Sequence, residues 1–274
     1  MGVRNRISIA AVATLGLFGS NVGAQTQDTI TTSKKPLFVW GDAVTAGAFA
    51  LATVALAPVD RQLTASLQQP PRQTNRILHN GATIFRLFGQ PGSLIVAAGM
   101  YGLGTADGQR RTQDLGLHTL MAIALSSGET GVIKIVAGRA RPRKDPDNAR
   151  DFGLFRGLRD DDYRSFPSGH TTSAFAFAST VASETQRWWP GTRWVIGPIV
   201  YGGAALTGLS RIYNNEHWAS DVMAGAALGT LTGIKIVRYQ HSHPNNYLDR
   251  KLLRAGVNIS NDGRWMPTIS TVSF

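Results

Sequence analysis

The sequence predicts an all-α protein, a six-helix bundle followed by a short C-terminal β-hairpin. Three observations point there. Segments rich in Ala, Gly, Leu, Val and Ile recur at about 37–57, 92–104, 115–137, 170–186, 194–209 and 221–238, long and without period-two alternation. Turn-rich pieces such as Gln69-Pro70-Pro71-Arg72 and Pro190-Gly191-Thr192 lie between them. No internal repeat marks a solenoid, so six helices packed on one another is the economical arrangement.

The chain opens with a leader. Arg4 and Arg6 form a basic start, Ile7 to Phe18 is an apolar run short for a bilayer, and Val22-Gly23-Ala24 offers small residues before Gln25. Residues 1–24 are expected to be the signal peptide of an exported, periplasm-facing protein, with an uncleaved anchor as the alternative. Residues 25–36 read as a flexible lead-in, and 37–240 as the helical domain. Its first segment is about long enough to span a membrane but contains Asp42. The third carries His118, Glu129 and Lys134, and the sixth starts at Asp221 and includes Lys235. Ionisable groups within a span are costly and usually face a functional interior. Abundant Gly and Ala suit close packing in lipid or in a soluble bundle alike. A mean hydropathy of −0.08 leaves both open. Residues 241–274 form an extension in which Val257 and Ile259, then Asn261-Asp262-Gly263, then Trp265 and Ile269 suggest the hairpin. Two strands fall far short of an outer-membrane barrel.

Composition narrows the function. The chain has 274 residues, 43% hydrophobic, enough for a sizeable core, and no cysteine, which removes thiolate metal sites and cysteine nucleophiles. The formal charge of +11, or +9 once Arg4 and Arg6 leave with the leader, favours anionic partners without choosing among nucleic acid, anionic lipid and phosphorylated substrate. No nucleic-acid-binding motif is present.

Three clusters sit at edges of the helical segments: Lys134 with Arg141-Pro142; Pro167-Ser168-Gly169-His170; and Ser210-Arg211 with His217 and Asp221. Alone, each has an ordinary explanation. The cations can snorkel or pair at the surface, Ser168 can be an N-cap, and His217 with Asp221, four apart, can be a surface helix pair. Together they supply three cations, a helix-start anion site and two histidines. That set suits a phosphoryl group, with charge stabilisation, nucleophile and acid all present. No carboxylate cluster accompanies them to hold catalytic metal ions.

Lys134-(six residues)-Arg141-Pro142, Pro167-Ser168-Gly169-His170 and Ser210-Arg211-(five residues)-His217-(three residues)-Asp221 resemble the full three-part signature of the type 2 phosphatidic acid phosphatase and vanadium haloperoxidase superfamily. The resemblance implies a metal-independent phosphatase acting on phosphomonoesters or diphosphates, with no cofactor and with vanadate as a phosphate-mimicking inhibitor. By this similarity His217 is the nucleophile that becomes phosphohistidine, oriented by Asp221. His170 protonates the leaving oxygen and then activates water. Lys134, Arg141 and Arg211 hold the phosphoryl oxygens with Ser168 and the Gly169 backbone. A phosphorylated lipid or a small phosphoester is the expected substrate, and membrane association is expected. The alternatives are a vanadate-dependent haloperoxidase, which in this family tends to be larger, and a catalytically inactive membrane scaffold.

Other residues are left in plain roles. His241 and His243 lack an evident third metal ligand and read as solvated loop, so no metal site is assigned. Asp160-Asp161-Asp162 reads as a solvated acidic run in a basic loop, 143–165, expected to overlie the pocket. His118 and Glu129 read as buried structural groups, and Trp188, Trp189 and Trp218 as packing or interfacial aromatics.

Overall fold

A computed structural model of the chain describes residues 36–243, Asn246, and the strands 255–259 and 265–269. The expected signal peptide, and the lead-in up to residue 35, lie outside the described residues. Each of the six expected segments is helical: α1 (Trp40–Leu56), α5 (Ser93–Ala106), α6 (Arg110–Ala137), α7 (Gly169–Trp188), α8 (Arg193–Tyr213) and α9 (Ala219–Ser242). The expected count of six is too low. Among the described residues α4 (Arg76–Leu87) is a seventh helix of twelve residues or more, and α2 (Asp60–Leu67) and α3 (Pro70–Gln73) are shorter pieces. A search for apolar runs passes over α4 because Ile77, Leu78, Ile84 and Phe85 alternate with Arg76, His79, Asn80 and Arg86. Its start is set by Asn75, whose side-chain oxygen accepts from the Ile77 and Leu78 amides at 3.0 and 3.1 Å. His241 also departs from expectation, lying in the last turn of α9 rather than in a loop.

At the C-terminus β1 (Ala255–Ile259) pairs antiparallel with β2 (Trp265–Ile269), Ala255 opposite Ile269 and Ile259 opposite Trp265. The Asn261-Asp262-Gly263 turn expected between them lies outside the described residues.

Helix α7 is the axis, packed against α6, α8 and α9, with α1 outside α9, α5 outside α6 and α4 against α8. Ala, Ser, Thr and Phe make up thirteen of its twenty residues, and thirteen of the twenty are buried. Helix α9 meets it with Gly225, Gly229 and Gly233, four residues apart and therefore on one face. A Cβ at Gly225 would stand 2.6 Å from the Ser168 carbonyl oxygen, and one at Gly229 would run into the Thr172 carbonyl. The backbones can approach this closely only without side chains. The close approach lets the Ser168 N–H donate to the Asp221 carbonyl at 3.0 Å, which locks the start of α7 to the start of α9.

The polarity of the bundle is inverted. Small residues fill the centre, with Ala97, Ala122, Ala174, Ala176 and Ala204 fully buried beside Thr171, Thr172 and Ser173. Large apolar side chains face out: Leu51, Ile77, Ile95, Val132 and Ile199 are each more than 60% exposed, and α1 buries no residue. Three helical stretches, Trp40–Leu67, Arg110–Ala137 and Pro190–Tyr213, are long and apolar enough to cross a membrane. A polar centre inside an apolar periphery is what averages to the middling hydropathy.

Gly229→Ala is expected to cost about 1–3 kcal/mol through overpacking of the α7–α9 crossing. Gly99→Ala, where nothing lies within 4 Å, should be neutral or slightly stabilising. Unfolding of both variants in detergent micelles measures the contrast, and equal midpoints would show that the crossing is not tight.

Candidate active site

The eight residues singled out in the sequence all stand at one end of the bundle. Lys134 is in the last turn of α6, which Gly138 ends in a left-handed conformation (φ 52°). Arg141 follows directly in the loop. Ser168 is the residue before α7, and Gly169 and His170 are its first two residues. Arg211 lies in the last turn of α8, His217 in the connection to α9, and Asp221 in the first turn of α9. Since α6 and α8 end where α7 and α9 begin, the antiparallel packing itself assembles the cluster.

Asp221 is its buried centre. Oδ1 accepts from Arg139 Nη1 at 2.5 Å, and Oδ2 accepts from Ser165 Oγ at 2.5 Å and from the Trp218 amide at 2.9 Å. Burial alone would raise this carboxyl. The Arg139 guanidinium, with His217 and Ser165, overrides burial and brings it down to about 2. His217 is equally buried, and its Nδ1 lies 3.8 Å from Asp221 Oδ2, adjacent but beyond hydrogen-bond reach. That ring orientation leaves Nε2 as the nitrogen turned away from the carboxylate. Burial first, and Lys134 and Arg141 after it, hold the His217 imidazole well below the ordinary histidine range despite Asp221. At neutral pH it is uncharged.

The cations around it are only partly compensated. Arg141 donates from Nη1 to Glu216 Oε2 at 2.5 Å, Arg143 from Nη1 to Glu216 Oε1 at 2.9 Å, and Arg211 Nη2 lies 3.9 Å from Glu216 Oε2. Three guanidinium groups therefore converge on one carboxylate immediately before His217. Lys134 Nζ donates to the Arg164 carbonyl at 2.5 Å, and a Cβ on Gly169 would lie 3.7 Å from Lys134 Cε, so the helix start and the ammonium are neighbours. His170 faces a more positive field. Burial, then Arg211, Arg86, Lys134 and Arg141, push it down to about 3. Ser168 Oγ accepts from Thr171 Oγ1 at 2.8 Å, and no side-chain cap bond from it to α7 is formed.

The loop folds onto this cluster. The Arg141 amide donates to the Asp162 carbonyl at 2.8 Å, and its Nη2 donates to Asp161 Oδ2 at 3.0 Å. Asp161 and Asp162 are thus not a freely solvated run, because Arg141 and Arg143 recruit them as counter-ions. Leu154, Phe155 and Leu158 in the same loop remain more than half exposed. Trp218 is fully buried and donates from Nε1 to the Ala140 carbonyl at 2.9 Å, so its role is packing. Glu129 accepts from Thr232 Oγ1 at 2.8 Å.

Four neighbours of these residues escape sequence reasoning: Arg139, Asp60, Arg86 and Glu216. Arg139 bridges Asp221 to Asp60, whose Oδ2 accepts from Nη2 at 2.8 Å; Asp60 Oδ1 in turn accepts from the Ser220 amide at 2.9 Å. One signal for Asp60 was available: a lone acid closing an apolar segment needs a partner. Arg139 is masked by its similarity to Arg141 and Arg143. An apolar groove of about 580 Å³, lined by Phe85, Phe88, Phe177, Ile199, Val200 and Leu206, runs along α4, α7 and α8. The same helices carry Arg86, His170 and Arg211, and Phe177 is two helical turns from His170.

Comparison with known proteins places this end of the molecule in context. The PAP2 superfamily model matches residues 115–244, which include all three sequence clusters. The chain is 34% identical over 143 residues to a lipid A 1-phosphatase of Porphyromonas gingivalis, covering 51% of this chain and 27% of that protein. It is 29% identical over 145 residues to an undecaprenyl-diphosphatase of Sulfolobus acidocaldarius, covering 52% and 64% respectively. Both matches span less than two thirds of the relative's length. Among solved structures, a transmembrane PAP2 type phosphatidylglycerolphosphate phosphatase from Bacillus subtilis shares the fold, with a TM-score of 0.54 and 21% identity over 74% of this chain and 97% of that one.

Arg139→Gln should cost about 3–5 kcal/mol, because it strands two buried carboxylates, and unfolding in detergent measures it; a loss below about 1 kcal/mol would contradict the assigned role. Glu216→Gln should tighten the binding of inorganic vanadate about threefold to tenfold by freeing the guanidinium groups. Calorimetric titration reads this directly, and weaker binding would mean that Glu216 helps rather than competes.

Proposed function

We propose that the protein, whose residues 115–244 match the PAP2 superfamily model, is a phosphatase of lipid-borne phosphomonoesters or diphosphates that needs no catalytic metal and works through a phosphohistidine on His217. The observation that carries this reading is the convergence of Arg141, Arg143 and Arg211 on the Glu216 carboxylate, one residue from His217. An anionic oxygen is already held where a phosphoryl oxygen would be needed, beside a neutral imidazole.

In this reading the phosphoryl group displaces Glu216 and takes its oxygens to Arg141, Arg211 and Lys134. Nε2 of His217 attacks phosphorus as the bond to the leaving oxygen breaks, and Asp221 offsets the positive charge that develops on the ring. His170 gives its proton to the departing oxygen. It then takes a proton from water as that water attacks the phosphohistidine, which releases inorganic phosphate and restores the imidazole. In the substrate-free site His170 is held at about 3 by burial and four cations. A bound dianion offsets those cations and raises it, so the acid is charged by its own substrate.

A lipid substrate is favoured by three features. The apolar groove follows the helices that carry Arg86, His170 and Arg211. Leu154, Phe155 and Leu158 present apolar surface from the loop above the site. The relatives named lipid A 1-phosphatase and undecaprenyl-diphosphatase point the same way. The three apolar helical stretches favour a membrane-embedded bundle in this reading.

Phosphate release from phosphatidate in detergent micelles, with a chelator present, is expected, with inhibition by vanadate and a drop of about a thousandfold or more in His217→Ala. Undiminished turnover in that variant would remove the mechanism, and bromide oxidation with peroxide and vanadate would favour the haloperoxidase alternative. Because the His217 pKa is lowered, the nucleophile stays unprotonated as pH falls through 6.5. The acid limb of kcat/KM should therefore lie below that value, and a limb above 6.5 would contradict the assignment.

A further inference from the structure

The end of the bundle away from the catalytic cluster holds a second group of titratable side chains that the proposed reaction does not use. His118 on α6, Glu184 on α7 and His241 on α9 meet there. Glu184 is fourteen residues beyond His170 on the same helix, which puts the two groups about 21 Å apart at 1.5 Å per residue. His118 Nδ1 lies 2.5 Å from Glu184 Oε1, and His241 Nε2 lies 2.8 Å from Glu184 Oε2. The two imidazole rings stand nearly perpendicular, at 83°, with centroids 5.7 Å apart. Glu184 and His118 are buried, while the His241 side chain is 25% exposed.

We propose that His118, Glu184 and His241 form a binding site for a divalent transition-metal ion, best matched by zinc, that ties α6, α7 and α9 together. One nitrogen from each histidine and one carboxylate oxygen lie within 4.8 Å of one another. They are donors from three different helices converging on one point. Two imidazoles and a carboxylate, with no thiolate and no cluster of oxygens, is a ligand set suited to zinc rather than to calcium or magnesium. Without metal, each histidine must carry its proton on the nitrogen that faces Glu184. An entering ion replaces those two N–H···O contacts by coordinate bonds, and the proton leaving each coordinating nitrogen passes to the far ring nitrogen or to water. The ion also neutralises the buried Glu184 carboxylate. The partly exposed His241 leaves a route for the ion and an open fourth position for water.

The sequence concealed this site because its members are 66 and 57 residues apart, and the neighbouring His243 suggested a local pair instead. His243 turns away: its Nδ1 contacts the Tyr239 carbonyl and its ring stacks on Tyr239.

The test uses the full chain, purified in detergent without a polyhistidine tag, stripped with chelator and then titrated with zinc and with cobalt. About one zinc per chain should be retained, cobalt should give the visible absorption of a tetrahedral ion, and zinc should raise the thermal midpoint. Since even changes beyond the ligands cost about 10–100-fold in affinity, losing a ligand should weaken zinc at least tenfold. His241→Gln is the decisive variant, being partly exposed and therefore tolerant of substitution, with Glu184→Gln alongside. Phosphate release by His241→Gln, measured with chelator present, should stay within about twofold of the parent, which separates this site from the catalytic one. Substoichiometric zinc in the parent, or equal zinc affinity in parent and His241→Gln, would overturn the proposal and leave a hydrogen-bonded His–Glu–His clamp.

Discussion

A buried carboxylate in a crowded helix junction is tolerable only when it is paired and hydrogen-bonded, and the end of the bundle that carries the candidate site is arranged around that requirement at Asp221. Its side chain accepts from Arg139, Ser165 and the Trp218 amide, while its backbone carbonyl accepts from Ser168. These contacts join α9, the loop after α6 and the start of α7. Arg139 extends the tie to Asp60 at the head of α2. The positions of Ser168, Gly169, His170 and His217 are consequences of satisfying one charge. The Gly225-Gly229-Gly233 face of α9 permits this geometry, because any side chain there would hold the two helix starts apart.

Charge and polarity elsewhere follow from the same economy. The clustered arginines would repel one another without a counter-ion, and Glu216, Asp161 and Asp162 supply it. The interior is small and hydroxyl-rich, with the large apolar side chains turned outward. In water that distribution would be costly over so large an area. In lipid it is the ordinary arrangement, with small residues mediating helix contact and bulky ones facing the acyl chains.

Much of this was legible in the sequence, for identifiable reasons. The six apolar segments announce themselves by length and Ala content, and Lys134, Arg141, Ser168, Gly169, His170, Arg211, His217 and Asp221 by their fixed spacing at helix edges. Helix α4 was not legible as an apolar run, because it is amphipathic, and Arg86 was lost with it. Glu216 looked like any loop acid beside a motif. The network of Asp60, Arg139 and Ser220 depends on contacts 79 and 160 residues apart, which no local pattern encodes. The same holds for His118, Glu184 and His241, where two histidines read as unremarkable residues until three helices bring them onto one carboxylate.

In the proposed reaction Nε2 of His217, held beside Asp221 and uncharged, becomes the covalent carrier of the phosphoryl group. Rapid acid-free quenching during turnover of a labelled lipid phosphate, followed by peptide mapping, tests it most directly. An alkali-stable, acid-labile phosphoryl label is expected on the peptide containing His217, accumulating when His170 is replaced by Ala and a leaving group that needs no protonation is supplied. A label on Ser168, or turnover with no protein-bound phosphate at any time point, would contradict it.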